Sequence, residues 1–294
     1  MNINHLAIFH AVAEEGSLTR AAERLHISQP AVSKQLRELE KSLGMALFHR
    51  LSKGVRLTEG GELLAGYARN MFALEAEAEH ALSELRGLER GRLTVGASTT
   101  IGIYLLPPVF ARFQQKYPRI ELNLEIANTE EIQRRLMENS IDLALSEGHV
   151  HAPDLQAEII AWDEIVAIAA PDHPLLNEPR VTAQTLCEYS FVAREPGSGT
   201  RAVTEAALQE KGILLQPTMS LGSSEAVKRA VITGAGWALL SRLAIELELQ
   251  IGALVIVPVE DLTIQRPLHR LRLRGKYENR AAREFVRLLR QSKS

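Results

Sequence analysis

Apolar residues at Leu6, Phe9, Val12 and Ala13 share one helical face, and Gly16 ends the pattern. Ser17 offers an oxygen to an orphan amide of Thr19 or Arg20, and Leu18, Ala21, Ala22 and Leu25 supply the buried stripe of a second helix. After a turn at His26-Ile27, Ser28 caps a third helix with Pro30 in its first turn. Its inner face is Ala31, Val32, Leu36, Leu39 and Leu43, and Gly44 stops it. Three short helices with a tight turn between the last two predict a helix-turn-helix. Ala46-Leu47-Phe48 and Val55-Arg56-Leu57 then predict two short strands around a turn at Ser52-Lys53-Gly54, the pattern of a wing.

Thr58 caps a long helix on which Leu64, Tyr67, Met71, Leu74, Ala78, Ala81, Leu85 and Leu88 recur in steps of three and four. So narrow a seam calls for a partner helix, whereas an ordinary amphipathic helix would carry a wider stripe. Residues 86–91 end this helix in a hinge containing Gly87 and Gly91. Beyond it, short apolar runs (93–97, 120–126, 141–145) alternate with helical patterns (105–116, 130–138), which predicts an α/β domain with a largely parallel sheet. Runs at 165–170 and 190–192, helices at 200–211 and 224–233, strands at 254–259 and 268–273, and a closing helix at 280–289 complete a second lobe and a return to the first. The domains expected are 1–58, a winged helix-turn-helix; 59–90, a linker and dimerisation helix; and 91–294. The last divides into lobe I (about 91–161 and 267–294) and lobe II (about 162–266).

Charge sharpens this picture locally rather than globally. The net charge of −2 advertises no polyanion partner, but residues 1–58 carry 8 Lys/Arg against 5 Asp/Glu, so a DNA surface would lie at the N-terminus. Cys187 stands alone, which excludes an intrachain disulfide and a cysteine-rich zinc site and fits a reducing compartment. With no leader-like N-terminus and no run of about 18 apolar residues, the expectation is a cytoplasmic protein without a membrane span.

In a helix-turn-helix the second helix enters the major groove, and here it presents Gln29, Pro30, Ser33, Lys34 and Arg37. Gln29 suits an adenine edge, Lys34 a guanine or a phosphate, Pro30 a thymine methyl, and Ser33 either role. Arg50, Lys53 and Arg56 on the wing lie where a backbone or minor groove would pass. The segment AVAEEGSLTRAAERLHISQPAVSKQLRELEKSLGMALFHR with LTEGG resembles the N-terminal signature of LysR-type transcriptional regulators. The resemblance implies an N-terminal all-α winged helix-turn-helix, a long linker helix, and a C-terminal α/β two-lobed effector domain like that of periplasmic binding proteins. It also implies a homodimer, commonly a tetramer, on an interrupted inverted repeat of double-stranded DNA, with RNA polymerase a further contact. Lys53 stands where the family often has arginine, keeping the charge but losing the planar fork.

Ser98-Thr99-Thr100 follows a predicted strand and opens a helical stretch, so hydroxyls and free amides there form an anion site or merely cap. The glycines of Pro196-Gly197-Ser198-Gly199-Thr200-Arg201 would let amides approach a ligand, Ser223-Ser224-Glu225 reads as a cap, and Glu147 faces either the cleft or solvent. By resemblance, Ser98 and Thr100, with Thr200, match the family's effector contacts between the lobes. GASTTIGIYLLP, REPGSGTR and LGSSEAVKRAV resemble the CysL-like and sulfite-responsive branch, which implies a small oxyanion effector. No nucleophile elbow or phosphate-binding loop is present, and His149 with His151 lacks a third zinc ligand; neither an enzyme, a cofactor nor a metal is expected. The segment from Arg266 to Lys293, with ten Lys/Arg against two Glu, reads as a solvated or subunit-facing surface.

Overall fold

The structure, a computed structural model, describes residues 2–51, 53–84, 91–148, 150 and 152–291. It comprises two compact units, Met1–Leu82 and Ser83–Ser294.

In the first unit, α1 (Ile3–Glu15), α2 (Leu18–Arg24) and α3 (Gln29–Leu43) bury Leu6, Phe9, Val12, Ala21, Val32 and Leu39 in one core. The caps are those expected: Ser17 accepts from Arg20 N–H at 3.4 Å, Ser28 from Ala31 N–H at 3.4 Å, and Gly16 and Gly44 end their helices in the left-handed region. The wing pairs β1 (Phe48–Arg50) with β2 (Val55–Leu57), two residues later on its first strand than the pattern suggests. Leu47 is held outside the ladder because its N–H donates to Glu40 and its carbonyl accepts from Thr58. Gly54, at φ 85°, lies so close to the Gly16 carbonyl that a Cβ would meet it at 2.4 Å, while Val55 N–H donates to the same oxygen at 3.0 Å. The wing tip is therefore fastened to the end of α1. Thr58 begins α4 (Glu59–Glu84), accepting from Gly61 N–H at 3.0 Å.

The second unit holds β3 (Gly91–Ser98), a π-helix (Ile101–Leu105), α5 (Pro107–Lys116), β4 (Ile120–Ala127), α6 (Thr129–Met137), β5 (Leu143–Glu147) and β6 (Leu155–Ala169). There follow α7 (Ala183–Leu186), β7 (Val192–Arg194), α8 (Gly199–Gln209), β8 (Met219–Leu221), α9 (Ser224–Ile232), β9 (Ala238–Ser241), α10 (Glu246–Gln250), β10 (Val255–Val257), β11 (Ile264–Leu273) and α11 (Arg280–Gln291). The main sheet runs β10-β6-β11-β5-β3-β4, with β9 also on β6. It is mixed rather than largely parallel: β3 pairs parallel with β4 and β5, but β11 is antiparallel to both β5 and β6. β6 and β11 reverse the chain direction as they carry it from one lobe to the other and back.

Two groups of core residues define the lobes. Val95, Leu145, Phe113, Phe285 and Leu268 lie in one, and Ile165, Ala167, Trp237, Leu239 and Ile264 in the other. β6 and β11 change allegiance between Ala161 and Ile165 and between Leu268 and Ile264, and their register shifts at Leu268/His269. Asp163 and Arg266 face each other across the ladder in that interval.

Candidate functional site

On α3, Val32, Leu36 and Leu39 point into the core, so Gln29, Pro30, Lys34 and Arg37 are left exposed and Ser33 half-exposed. Gln29 Nε2 donates to Ser33 Oγ at 3.0 Å, and Arg37 Nε to the Ser33 carbonyl at 3.1 Å, which lays these side chains along the helix surface. Arg50, Lys53 and Arg56 are exposed on the wing. On α4, Tyr67, Met71, Leu74 and Ala78 are exposed, while Leu64 packs on the helix-turn-helix core and so serves the domain itself. Ala81 lies in the last turns of α4; Leu85, Leu88 and Gly87 fall outside the described residues.

In the second unit the hydroxyls singled out from sequence gather at the lobe junction around a residue that sequence reasoning placed on a solvated face. Arg266 is fully buried. Its Nε and Nη2 reach Asp163 Oδ2 at 2.8 and 2.7 Å, Nη1 reaches Thr200 Oγ1 at 2.9 Å and Glu147 Oε1 at 3.4 Å, and Nη2 also reaches Thr100 Oγ1 at 3.3 Å. Thr100 comes from lobe I and Thr200 from the start of α8 in lobe II, so one guanidinium ties both lobes to the crossover strands. Ser98 donates to the other oxygen of Glu147, and Ser241 Oγ donates to Asp163 Oδ1 at 2.9 Å. Thr99 accepts instead from a second buried arginine, Arg194, at 3.5 Å; Arg194 also donates to Ser224 Oγ at 2.8 Å and pairs with Glu195 at 2.7 Å.

Several open alternatives narrow. Thr100 makes no capping bond, Glu147 is buried in the cleft rather than solvated, and Ser198 caps α8, accepting from Arg201 N–H at 3.5 Å, without joining the Arg266 cluster. Ser223 caps α9, but Ser224 and Glu225 reach other side chains. Ser198 instead lines a cavity of about 760 Å³ with Thr129, Gln133, Gly197 and Ala202. The lobes approach closely beside it: a Cβ on Gly199 would meet Thr129 Oγ1 at 2.5 Å and the Glu147 carbonyl at 2.6 Å. Arg266 and Asp163 escaped notice because a lone charge in a strand ordinarily faces water. The alternation of Ile264, Arg266 and Leu268 on one face was the available signal. Among the described residues no cluster of three metal-ligating side chains exists and no helix is long and apolar enough to cross a membrane. His149 and His151 lie outside the described residues.

A winged helix-turn-helix joined to a two-lobed binding domain defines a transcription regulator that answers to a small molecule. The chain belongs to the LysR family: residues 3–62 match the bacterial regulatory helix-turn-helix protein, lysR family, and residues 86–294 match the LysR substrate binding domain. It is 40% identical to the RuBisCO operon transcriptional regulator of Allochromatium vinosum, over 97% of this chain and 95% of that protein. It is 36% identical to the HTH-type transcriptional regulator CbbR of Rhodospirillum rubrum, over 98% and 95% of the two chains. The regulatory domain of Synechocystis CcmR, solved in complex with 2-PG, superposes with a TM-score of 0.64 at 30% identity, over 69% of this chain and 97% of that one. Full-length CbnR, solved with its target DNA, superposes with a TM-score of 0.70 at 21% identity over 99% and 100%, which supports the fold alone. These relatives are regulators, not enzymes. They also overturn the expectation of a CysL-like, sulfite-responsive branch, because the similarity runs to regulators of RuBisCO operons. The short segments behind that expectation, GASTTIGIYLLP above all, describe a strand and the turn after it and carry little information about the ligand.

Proposed function

We propose that this LysR-type regulator controls a carbon-fixation operon of the RuBisCO type in response to a small anionic metabolite bound between its lobes. The observation that carries the effector reading is the buried Arg266, contacted by Thr100 of one lobe and Thr200 of the other. A guanidinium is the donor best suited to a carboxylate or phosphate. Arg266 already faces two carboxylates, so an entering anion competes with them for the guanidinium. Asp163 is the cross-strand partner of Arg266, whereas Glu147 touches it only at 3.4 Å; Glu147 is the group that yields. Ser98, Thr99 and Ser198 supply further hydroxyls along the cleft. The operon assignment rests on the 40% identity to the Allochromatium vinosum regulator.

In this reading residues 1–58 bind an interrupted inverted repeat through Gln29, Pro30, Ser33, Lys34 and Arg37, with Arg50, Lys53 and Arg56 on phosphates or a minor groove. Residues 59–90 pair two chains through Tyr67, Met71, Leu74 and Ala78, extending to Ala81 and Leu85, and residues 91–294 sense the effector. Dimers associate into tetramers, and the DNA-bound assembly contacts RNA polymerase. Calorimetry with 2-PG tests the effector reading. Losing one hydrogen bond to a charged ligand costs ~1.5–3 kcal/mol, so Thr100→Ala should bind at least about tenfold more weakly, and Glu147→Gln more tightly than wild type. Equal affinity in all three proteins would remove Arg266 and its neighbours from the effector site.

A further inference from the structure

A second set of contacts joins the lobes away from Arg266. Directly after Thr100, the chain forms the π-helix Ile101–Leu105, a rare turn that is enriched at functional sites. It carries Tyr104 of lobe I to the first turn of α9 in lobe II, whose Val227 and Val231 are anchored in the lobe II core. The Tyr104 hydroxyl donates to the Glu225 carboxylate, and its ring lies 5.3 Å from Lys228 Nζ. Lys228 is buried, 4% exposed, yet charged and saturated: its ammonium reaches Glu225 at 2.6 Å, Glu248 at 2.8 Å and the Ala244 carbonyl at 2.9 Å. These groups share no side chain with the Arg266 cluster.

We infer that Tyr104, Glu225 and Lys228 form a clasp that holds the lobes together independently of the effector, with Tyr104 a positioning residue that sets effector affinity from outside the effector's contacts. The inference rests on the interlobe effector reading only for its affinity consequence. Each group is suited to the task. Burial pushes the Tyr104 phenol up to about 12, and its bond to Glu225 adds to that, so it stays a donor at any physiological pH. Burial disfavours the Lys228 charge, but the bonds from Glu225 and Glu248 outweigh it and hold the amine above its ordinary value. A buried, fully paired ammonium cannot leave its carboxylates without leaving a buried charge unpaired, which makes α9 a rigid anchor for the tyrosine. The clasp meets the cleft through one short piece of backbone. Arg194 of lobe II donates both to Thr99 of lobe I and to Ser224 at the start of α9, and five residues after Thr99 the Tyr104 hydroxyl donates to Glu225, so lobe I reaches α9 directly at Glu225 and through Arg194 at Ser224. A ligand that moves Ser98–Thr100 therefore moves the clasp. Weakening the clasp shifts the lobes toward separation and lowers apparent affinity by the same factor.

The exposed Cys187 of lobe II makes a direct test practicable. Spin labels on Cys187 and on Gln115→Cys, on the exposed surface of α5 in lobe I, report the interlobe distance. The full-length labelled chain is diluted into unlabelled Cys187→Ser protein so that each assembly carries one labelled pair. Without ligand, Tyr104→Phe should broaden and lengthen the distance distribution. Glu225→Leu, which removes the acceptor, should do the same, and the double variant should go no further than either single one. Affinity for 2-PG should fall about three- to tenfold in each single variant. If both single variants keep the wild-type distribution, the clasp does not exist. If 2-PG fails to bind the wild-type chain at all, the effector reading fails while the distances still decide the clasp.

Discussion

Replacing Arg266 with methionine removes a fully buried cation while leaving Asp163 and Glu147, both buried, without the cation they share. The lost contacts are the two to Asp163 at 2.7 and 2.8 Å, the one to Glu147 at 3.4 Å and those to the Thr100 and Thr200 hydroxyls. Breaking one side of a buried pair costs ~3–5 kcal/mol, chiefly because the orphaned charge stays buried. For a unit of this length ~1 kcal/mol corresponds to about 2–4 °C, so the transition of the effector unit should fall by about 6–20 °C in scanning calorimetry while that of the DNA-binding unit holds. Arg266→Met combined with Asp163→Leu should regain part of the loss, giving a coupling of about 2 kcal/mol in the double-mutant cycle. Arg266→Lys keeps the charge but has no fork to span Asp163 and both threonines, so it should fall in between. A single-variant cost below about 1 kcal/mol, or strict additivity in the cycle, would show that the cluster does not bear on stability and that the hydroxyls gather there for another reason.

Two further outcomes bear on DNA binding. Gln29→Ala should relax discrimination at one or two base pairs by ~1–3 kcal/mol, whereas Lys53→Ala should weaken operator and scrambled DNA alike and flatten the salt dependence, as titrations at several ionic strengths would read. Met71→Glu or Leu74→Glu, each placing charge on an exposed apolar position of α4, should give folded monomers that bind a two-half-site operator poorly because the second half-site no longer gains effective concentration; intact dimers in ultracentrifugation would show that this seam is not the pairing surface.

What the sequence made legible divides along the range of the physics involved. Ser17, Ser28, Gly16 and Gly44 act within a few residues of themselves, and the three helices they bound are where the pattern puts them. Ser98, Thr99 and Thr100 were legible for the same reason: polar residues following an apolar run mark a strand end wherever the rest of the fold lies. β9, four buried residues, and the polar-laced first half of β6 carried no comparable local mark. The alternation of Ile264, Arg266 and Leu268 hints that Arg266 is buried, but its partner Asp163 stands 103 residues away and nothing near Arg266 announces an acid that will neutralise it. A buried charge becomes legible only as a pair, and the pairing here belongs to the topology that lays β11 against β6.

That topology also makes a lobe-to-lobe contact away from Arg266 useful. The chain crosses between lobes twice, on β6 and β11, so any rotation of one lobe against the other must be absorbed in those strands near Asp163 and Arg266, where the register shifts at Leu268/His269. Groups at a pivot move little, and a ligand bound there acts chiefly by changing which charges are paired. Tyr104 and Lys228 stand on neither crossover strand. If the effector binds at Arg266 as proposed, it would supply differential energy there, and the Tyr104–Glu225 contact would be made or broken by the rotation that follows. On this geometry Glu147→Gln should change the effector's intrinsic affinity while leaving the ligand-free lobe distance alone, and Tyr104→Phe should change that distance. The two variants separate recognition from closure in one chain.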